Sequence, residues 1–110
     1  MKTLCLLVFG VLLVVPSFGE ETYTDGNHLQ TYCAGAADTF GGGYCVGIVS
    51  GVSNTSTLVC PPIGVTRGQE IKVVQKFLAD NPEKLQLRNT TLVEAALAKA
   101  FPCPLTTPPK

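Results

Sequence analysis

The chain has 110 residues, with eight Lys and Arg against eight Asp and Glu, and five cysteines. That length bounds it to one small domain, and the charge balance lacks the basic excess or stripe of a nucleic-acid binder. So many cysteines in so short a chain point to a disulfide framework and an oxidising compartment.

Residues 1–19 have the layout of a secretory signal peptide. Lys2 supplies the positive start, residues 4–15 are almost unbroken apolar, and Ser17-Phe18-Gly19 puts small residues where a signal peptidase reads. Cleavage is expected after Gly19. The apolar run falls short of the roughly 20 residues of a spanning helix, so no membrane partner is expected once this segment is removed. Cys5 lies too early to anchor a lipoprotein and reads as an ordinary apolar residue. The expected domain is 20–104, with 105–110 as a disordered Pro-rich tail. Without Lys2, seven Lys and Arg face eight Asp and Glu, a net charge near minus one.

Cys33, Cys45, Cys60 and Cys103 remain, an even number that reads as two disulfides. A core this small supplies only a few kcal/mol, and each bridge adds about 2–4 kcal/mol by constraining the unfolded chain. Four cysteines can be paired in three ways.

Leu29, Tyr32, Cys33, Ala36 and Ala37 fall on one helical face, which predicts a helix over 27–38 capped by Asp25 or Asn27. The run Gly41-Gly42-Gly43 follows. Cys45, Ile48, Val49 and Val52 repeat the helical spacing, while Tyr44, Val46 and Ile48 alternate as in a strand, so local signals leave both open. Residues 53–57 are polar and turn-like, and Cys60-Pro61-Pro62 is extended or turned. Thr66-Arg67-Gly68-Gln69 fits a capping box. It opens a helix with Ile71, Val74, Phe77 and Leu78 inside and Glu70, Lys72, Gln75, Lys76 and Asp80 in water, ending near Asn81 before Pro82. Thr91-Leu92-Val93-Glu94 reads as a second capping box, and Val93, Ala96, Leu97, Ala100 and Phe101 form the apolar stripe of a last helix.

No catalytic constellation emerges. His28 is the only histidine and stands outside any ligand cluster, which argues against a zinc site or a triad; no metal and no cofactor are expected. Pairing it with Cys33 as a nucleophile suffers from poor spacing and a thiol consumed by oxidation. The glycine run lacks the Gly-Lys-Ser/Thr of a phosphate loop and the later glycine of a dinucleotide fingerprint. Gly47 and Gly51, four apart, read as a close packing face between helices. Asn54-Thr55-Ser56 and Asn89-Thr90-Thr91 match the N-glycosylation pattern.

The order of these features resembles the Rap/Tai family of immunity proteins, which bacteria with type VI secretion keep in the periplasm. The resemblance rests on Cys33, the segment Cys45-Val46-Gly47-Ile48-Val49-Ser50-Gly51-Val52, Cys60-Pro61 and Gly64-Val65-Thr66. It continues through Phe77-Leu78-Ala79-Asp80-Asn81-Pro82-Glu83, Ala95-Ala96-Leu97 and Phe101-Pro102-Cys103, covering about residues 28–104. It implies an all-α, small four-helix domain stabilised by two disulfides, often a homodimer, without enzymatic activity. It also implies a peptidoglycan amidase effector as partner, bound so that its Cys/His cleft is blocked and sister-cell killing prevented. Helix is then favoured for 44–55, with the glycine run as the turn between two antiparallel helices. On that arrangement Cys33 and Cys45, on buried faces of consecutive segments, pair with each other, and Cys60 pairs with Cys103.

Effector contacts are expected from exposed polar residues of the third helix and the loop beyond it: Gln69, Lys72, Lys76, Glu83 and Lys84. A competing reading is a small disulfide-tied periplasmic acid-stress chaperone. A third is a eukaryotic secreted helical module, which occupied sequons would favour.

Overall fold

A computed structural model describes residues 24–105. The expected signal peptide and nearly all of the expected tail lie outside the described residues. Four helices follow one another: α1 (Gly26–Cys33), α2 (Phe40–Thr55), α3 (Arg67–Asp80) and α4 (Asn89–Ala100), with a 3-10 turn at Pro82–Lys84. Two isolated antiparallel bridges, Asp25 with Arg88 and Val59 with Pro102, pin the ends of the described segment to the interior of the chain. The all-α reading holds.

Each helix buries the residues that the 3.6-residue period brings to one face. Leu29 and Cys33 of α1, Cys45 and Val49 of α2, Val74 and Leu78 of α3, and Leu92, Val93, Ala96 and Leu97 of α4 meet in one core, joined by Val59 from the α2–α3 connection. A fully buried Leu or Val contributes about 1.5–3 kcal/mol, so these few side chains carry much of the folding free energy. Both disulfides close as expected, Cys33 with Cys45 and Cys60 with Cys103, at Cα separations of 5.0 and 4.9 Å.

The glycine run is not the turn between the first two helices. α1 ends at Cys33, residues 34–39 make the reversal, and Thr39 caps α2 by accepting from the Gly42 backbone N–H. Gly41, Gly42 and Gly43 thus form the first turn of α2. Gly42 is needed there for close approach: a Cβ on it would fall 2.6 Å from the Ala36 carbonyl carbon and 3.0 Å from Ala37 Cα. The first helix is shorter than the expected 27–38 because Gly35 follows Ala34 and Thr39 competes as a cap, its hydroxyl also donating to Ala36 O. Ala36 and Ala37 are exposed in the reversal.

Three further expectations are corrected. The alternation from Tyr44 to Ile48 lies within α2, which runs through the polar residues 53–55 that looked like a turn. Gly47 and Gly51 are not a packing face, since a Cβ at either would meet nothing within 4 Å. The capping box over residues 91–94 does not form: α4 starts three residues earlier, with Arg88 at the cap position and Asn89 as its first residue, and Glu94 accepts a hydrogen bond from Ser56 Oγ at 2.7 Å instead.

The box at Thr66 does form. Thr66 Oγ1 accepts from the Gln69 N–H at 3.1 Å and Gln69 Oε1 accepts from the Thr66 N–H at 2.7 Å. Ahead of it, Pro62 to Val65 close a turn through the Val65 N–H to Pro62 O, with Gly64 at φ +102° in the region that favours glycine. That turn holds Ile63 wholly in solvent.

Candidate functional site

α3 and the 3-10 turn beyond it present all five residues expected to meet a partner. Lys72, Lys76, Glu83 and Lys84 are exposed. Gln69 is exposed too, but its carbonyl oxygen is committed to the capping box. Lys76 Nζ donates to Asp80 Oδ2 at 2.7 Å, one helical turn on, and Lys84 Nζ sits 5.5 Å from the centre of the Phe77 ring. The helix ends where Pro82 denies the next turn its N–H, and Asn81 secures that end by donating its side-chain amide to Phe77 O at 2.8 Å. The corner is therefore held by backbone and side chain together, and it presents lysines on an element that cannot easily yield.

Beside this corner α3 and α4 leave an open cleft of about 300 Å³. Val73, Phe77, Ala96 and Ala100 form its apolar floor, and Lys76, Asp80, Asn81 and Lys99 its polar rim. Of the expected residues only Lys76 lines it. Lys99 was not anticipated. It lies in the last turn of α4, and only knowledge of how α3 and α4 pair places it opposite Lys76.

A second, more polar hollow of about 290 Å³ lies between α2 and α4, lined by Val52, Thr55, Ser56, Thr90, Thr91 and Glu94. The Ser56 to Glu94 hydrogen bond crosses it.

Glu70, expected in water, is buried. Its Oε1 accepts from Ser53 Oγ at 2.7 Å, and Arg67 pairs with its Oε2 while reaching Asn54 Oδ1. A carboxylate is tolerated in this place because both oxygens are served. Asn89 is likewise buried, its Nδ2–H donating to the Tyr44 hydroxyl at 2.7 Å, an arrangement with no room for a glycan. Asn54, at the other sequon, is exposed.

His28 and Cys33 are not brought together as base and nucleophile. The cysteine is in a disulfide, and the His28 ring bonds Asp25 Oδ1 at 2.9 Å. Asp25 also caps α1 by accepting from the His28 N–H at 3.1 Å. That backbone bond first, and the His28 ring second, hold its carboxyl below the usual carboxylate range. Among the described residues no group of three or more His, Cys, Asp or Glu is placed to hold a metal ion, and no helix is long and apolar enough to cross a membrane.

Four helices braced by two disulfides, with a stiff lysine-bearing corner beside an apolar-floored cleft, define a small helical module suited to protein contacts. The family model of the Rap1a immunity proteins matches residues 25–103, a span that holds all four helices and both disulfides, and the chain belongs to that family. Membership makes it an immunity protein, whose role is to bind a partner effector, and suggests inhibition without catalysis. No curated protein and no solved structure gives a significant match.

Proposed function

We propose that the chain is exported to the periplasm, where it binds a type VI secreted peptidoglycan amidase, occludes its active-site cleft and protects the cell from its sisters. Membership of the immunity family over residues 25–103 carries this reading. Its geometry adds a candidate for the blocking element, the corner where α3 meets the 3-10 turn Pro82–Lys84. Occlusion works through shape and charge, so the element must already be rigid when it meets the cleft. The Asn81 bond to Phe77 O and the stacking of Lys84 over Phe77 supply that rigidity. Lys72, Lys76, Glu83 and Lys84 are the proposed contacts, with Gln69 at the far end of the same helix. A homodimer belongs to the same reading and is checked by light scattering.

The test is co-purification with an exported Cys/His amidase encoded beside this gene, followed by an assay of peptidoglycan cleavage. The expected result is a complex with Kd at or below about 1 μM and full inhibition at stoichiometric ratio. Charge reversal of Lys76 and Lys84 together should weaken it about 100-fold if they lie at the centre of the contact. Absence of a complex with every neighbouring effector would overturn the reading.

A further inference from the structure

The first half of the described chain differs from the second in charge. Residues 24–66 contain two carboxylates, Asp25 and Asp38, and neither Lys nor Arg; every Lys and Arg of residues 24–105 follows residue 66. This half also holds a group of aromatic rings. Tyr32 of α1 packs edge-on against Tyr44 and Phe40 of α2, with ring centres 5.0 and 6.0 Å apart, and Phe40 lies 6.3 Å from Tyr44. None of the three belongs to the buried core, and Phe40 is 79% exposed. The core does not require an exposed phenylalanine in the first turn of α2, because the cap there is made by Thr39.

One ring has a polar anchor. Asn89 of α4, itself buried, donates to the Tyr44 hydroxyl at 2.7 Å, and Tyr32 packs against that ring. Asp38, two residues before Phe40, is exposed and has no ion-pair partner among the described residues, whereas Asp25 is occupied by His28. Ordered aromatic faces attract cations through the ring quadrupole, most of all the flat guanidinium of arginine. A free carboxylate at the start of the same helix reinforces that preference and disfavours acidic ligands. Aromatic side chains are also enriched at the centres of protein interfaces, and here Phe40 stands in solvent beside the partly buried Tyr32 and Tyr44.

We propose that Tyr32, Phe40 and Tyr44, with Asp38, form a docking surface for a protein segment that presents arginine or lysine side chains. The surface lies on α1 and α2, away in sequence from the lysine-bearing corner of α3, so it stands whether or not that corner meets an amidase. The two surfaces differ in chemistry: one is aromatic beside a carboxylate, the other carries Lys72, Lys76 and Lys84 together with Glu83.

The experiment titrates the purified, oxidised protein with a hexa-arginine peptide and follows ring proton shifts of Tyr32, Phe40 and Tyr44. Hexaglutamate and chitohexaose serve as parallel probes, and a dilution series without peptide tests self-association. Saturable shifts at these rings with hexa-arginine alone are expected. Phe40→Ala and Asp38→Asn should each weaken binding about fivefold, the equivalent of about 1 kcal/mol, while replacement of the exposed, uncharged Gln86 by alanine leaves it unchanged. Phe40 is exposed enough for its removal to spare the fold, which an unchanged melting curve checks. Ring protons unmoved by hexa-arginine, affinity indifferent to both substitutions, or ring shifts produced by hexaglutamate, by chitohexaose or by dilution would each overturn the proposal.

Discussion

Gly42, Gly47 and Gly51 lie in one helix and meet different surroundings, so alanine should act on them with opposite sign. At Gly42 the new Cβ would run into the backbone of Ala36 and Ala37, which cannot swing aside as a side chain does. Overpacking of this kind costs about 1–3 kcal/mol, and the upper end is expected here. At Gly47 and Gly51 the Cβ meets open space, and Gly to Ala in a helix interior gains about 0.5–1 kcal/mol each. Urea unfolding of the three single variants checks both signs. Asp25 sets a pH dependence. Because its carboxyl is depressed in the folded state by the His28 N–H and then the ring, its contribution is complete above the unfolded value of about 3.9. It is lost as pH falls through the lower folded value. The stability gap between the native chain and Asp25→Ala should therefore be constant from pH 6 to 5 and close at strongly acid pH, and a gap that widened on acidification would contradict the assignment.

Capping separates helices that the sequence makes look alike. Thr66 and Gln69 satisfy each other's backbone N–H groups, so Thr66→Ala should cost about 1 kcal/mol. Thr91 and Glu94 have the same spacing but lie inside α4, and Thr91→Ala should stay within about 0.5 kcal/mol. Thermal melts of the two variants distinguish them. The contrast also shows what could be read from sequence. The helical faces around Leu29, Val74 and Leu97 and the stop at Pro82 follow from period and local chemistry, whereas the cysteines could pair in three ways until the family resemblance implied the helix arrangement that the disulfides bear out. What escaped depended on neighbours distant in sequence. Asn89 enters α4 because its amide reaches Tyr44, Glu94 turns to Ser56, and Glu70 leaves water for Ser53 and Arg67. The candidate site divides in the same way: Lys76 and Lys84 could be named from a helix end before proline, whereas Lys99 belongs to the cleft only through the pairing of α3 with α4.

Across the whole molecule the two disulfides differ in the length of chain they close, 12 residues for Cys33–Cys45 and 43 for Cys60–Cys103. On the loop-entropy account the first stabilises by about 3 kcal/mol and the second by about 4 kcal/mol. Replacing Cys60 and Cys103 by serine should lower the urea midpoint more than replacing Cys33 and Cys45, and the reverse order would show that native-state packing, not the unfolded chain, decides. The pairing has a further consequence, because the two loops neither overlap nor nest. The first cysteine joins the second and the third joins the fourth, which is the order in which a chain delivered N-terminus first would present them. An oxidant acting on each thiol pair as it appears makes the native bonds without a later exchange step. Folding would then need an electron acceptor but no isomerase.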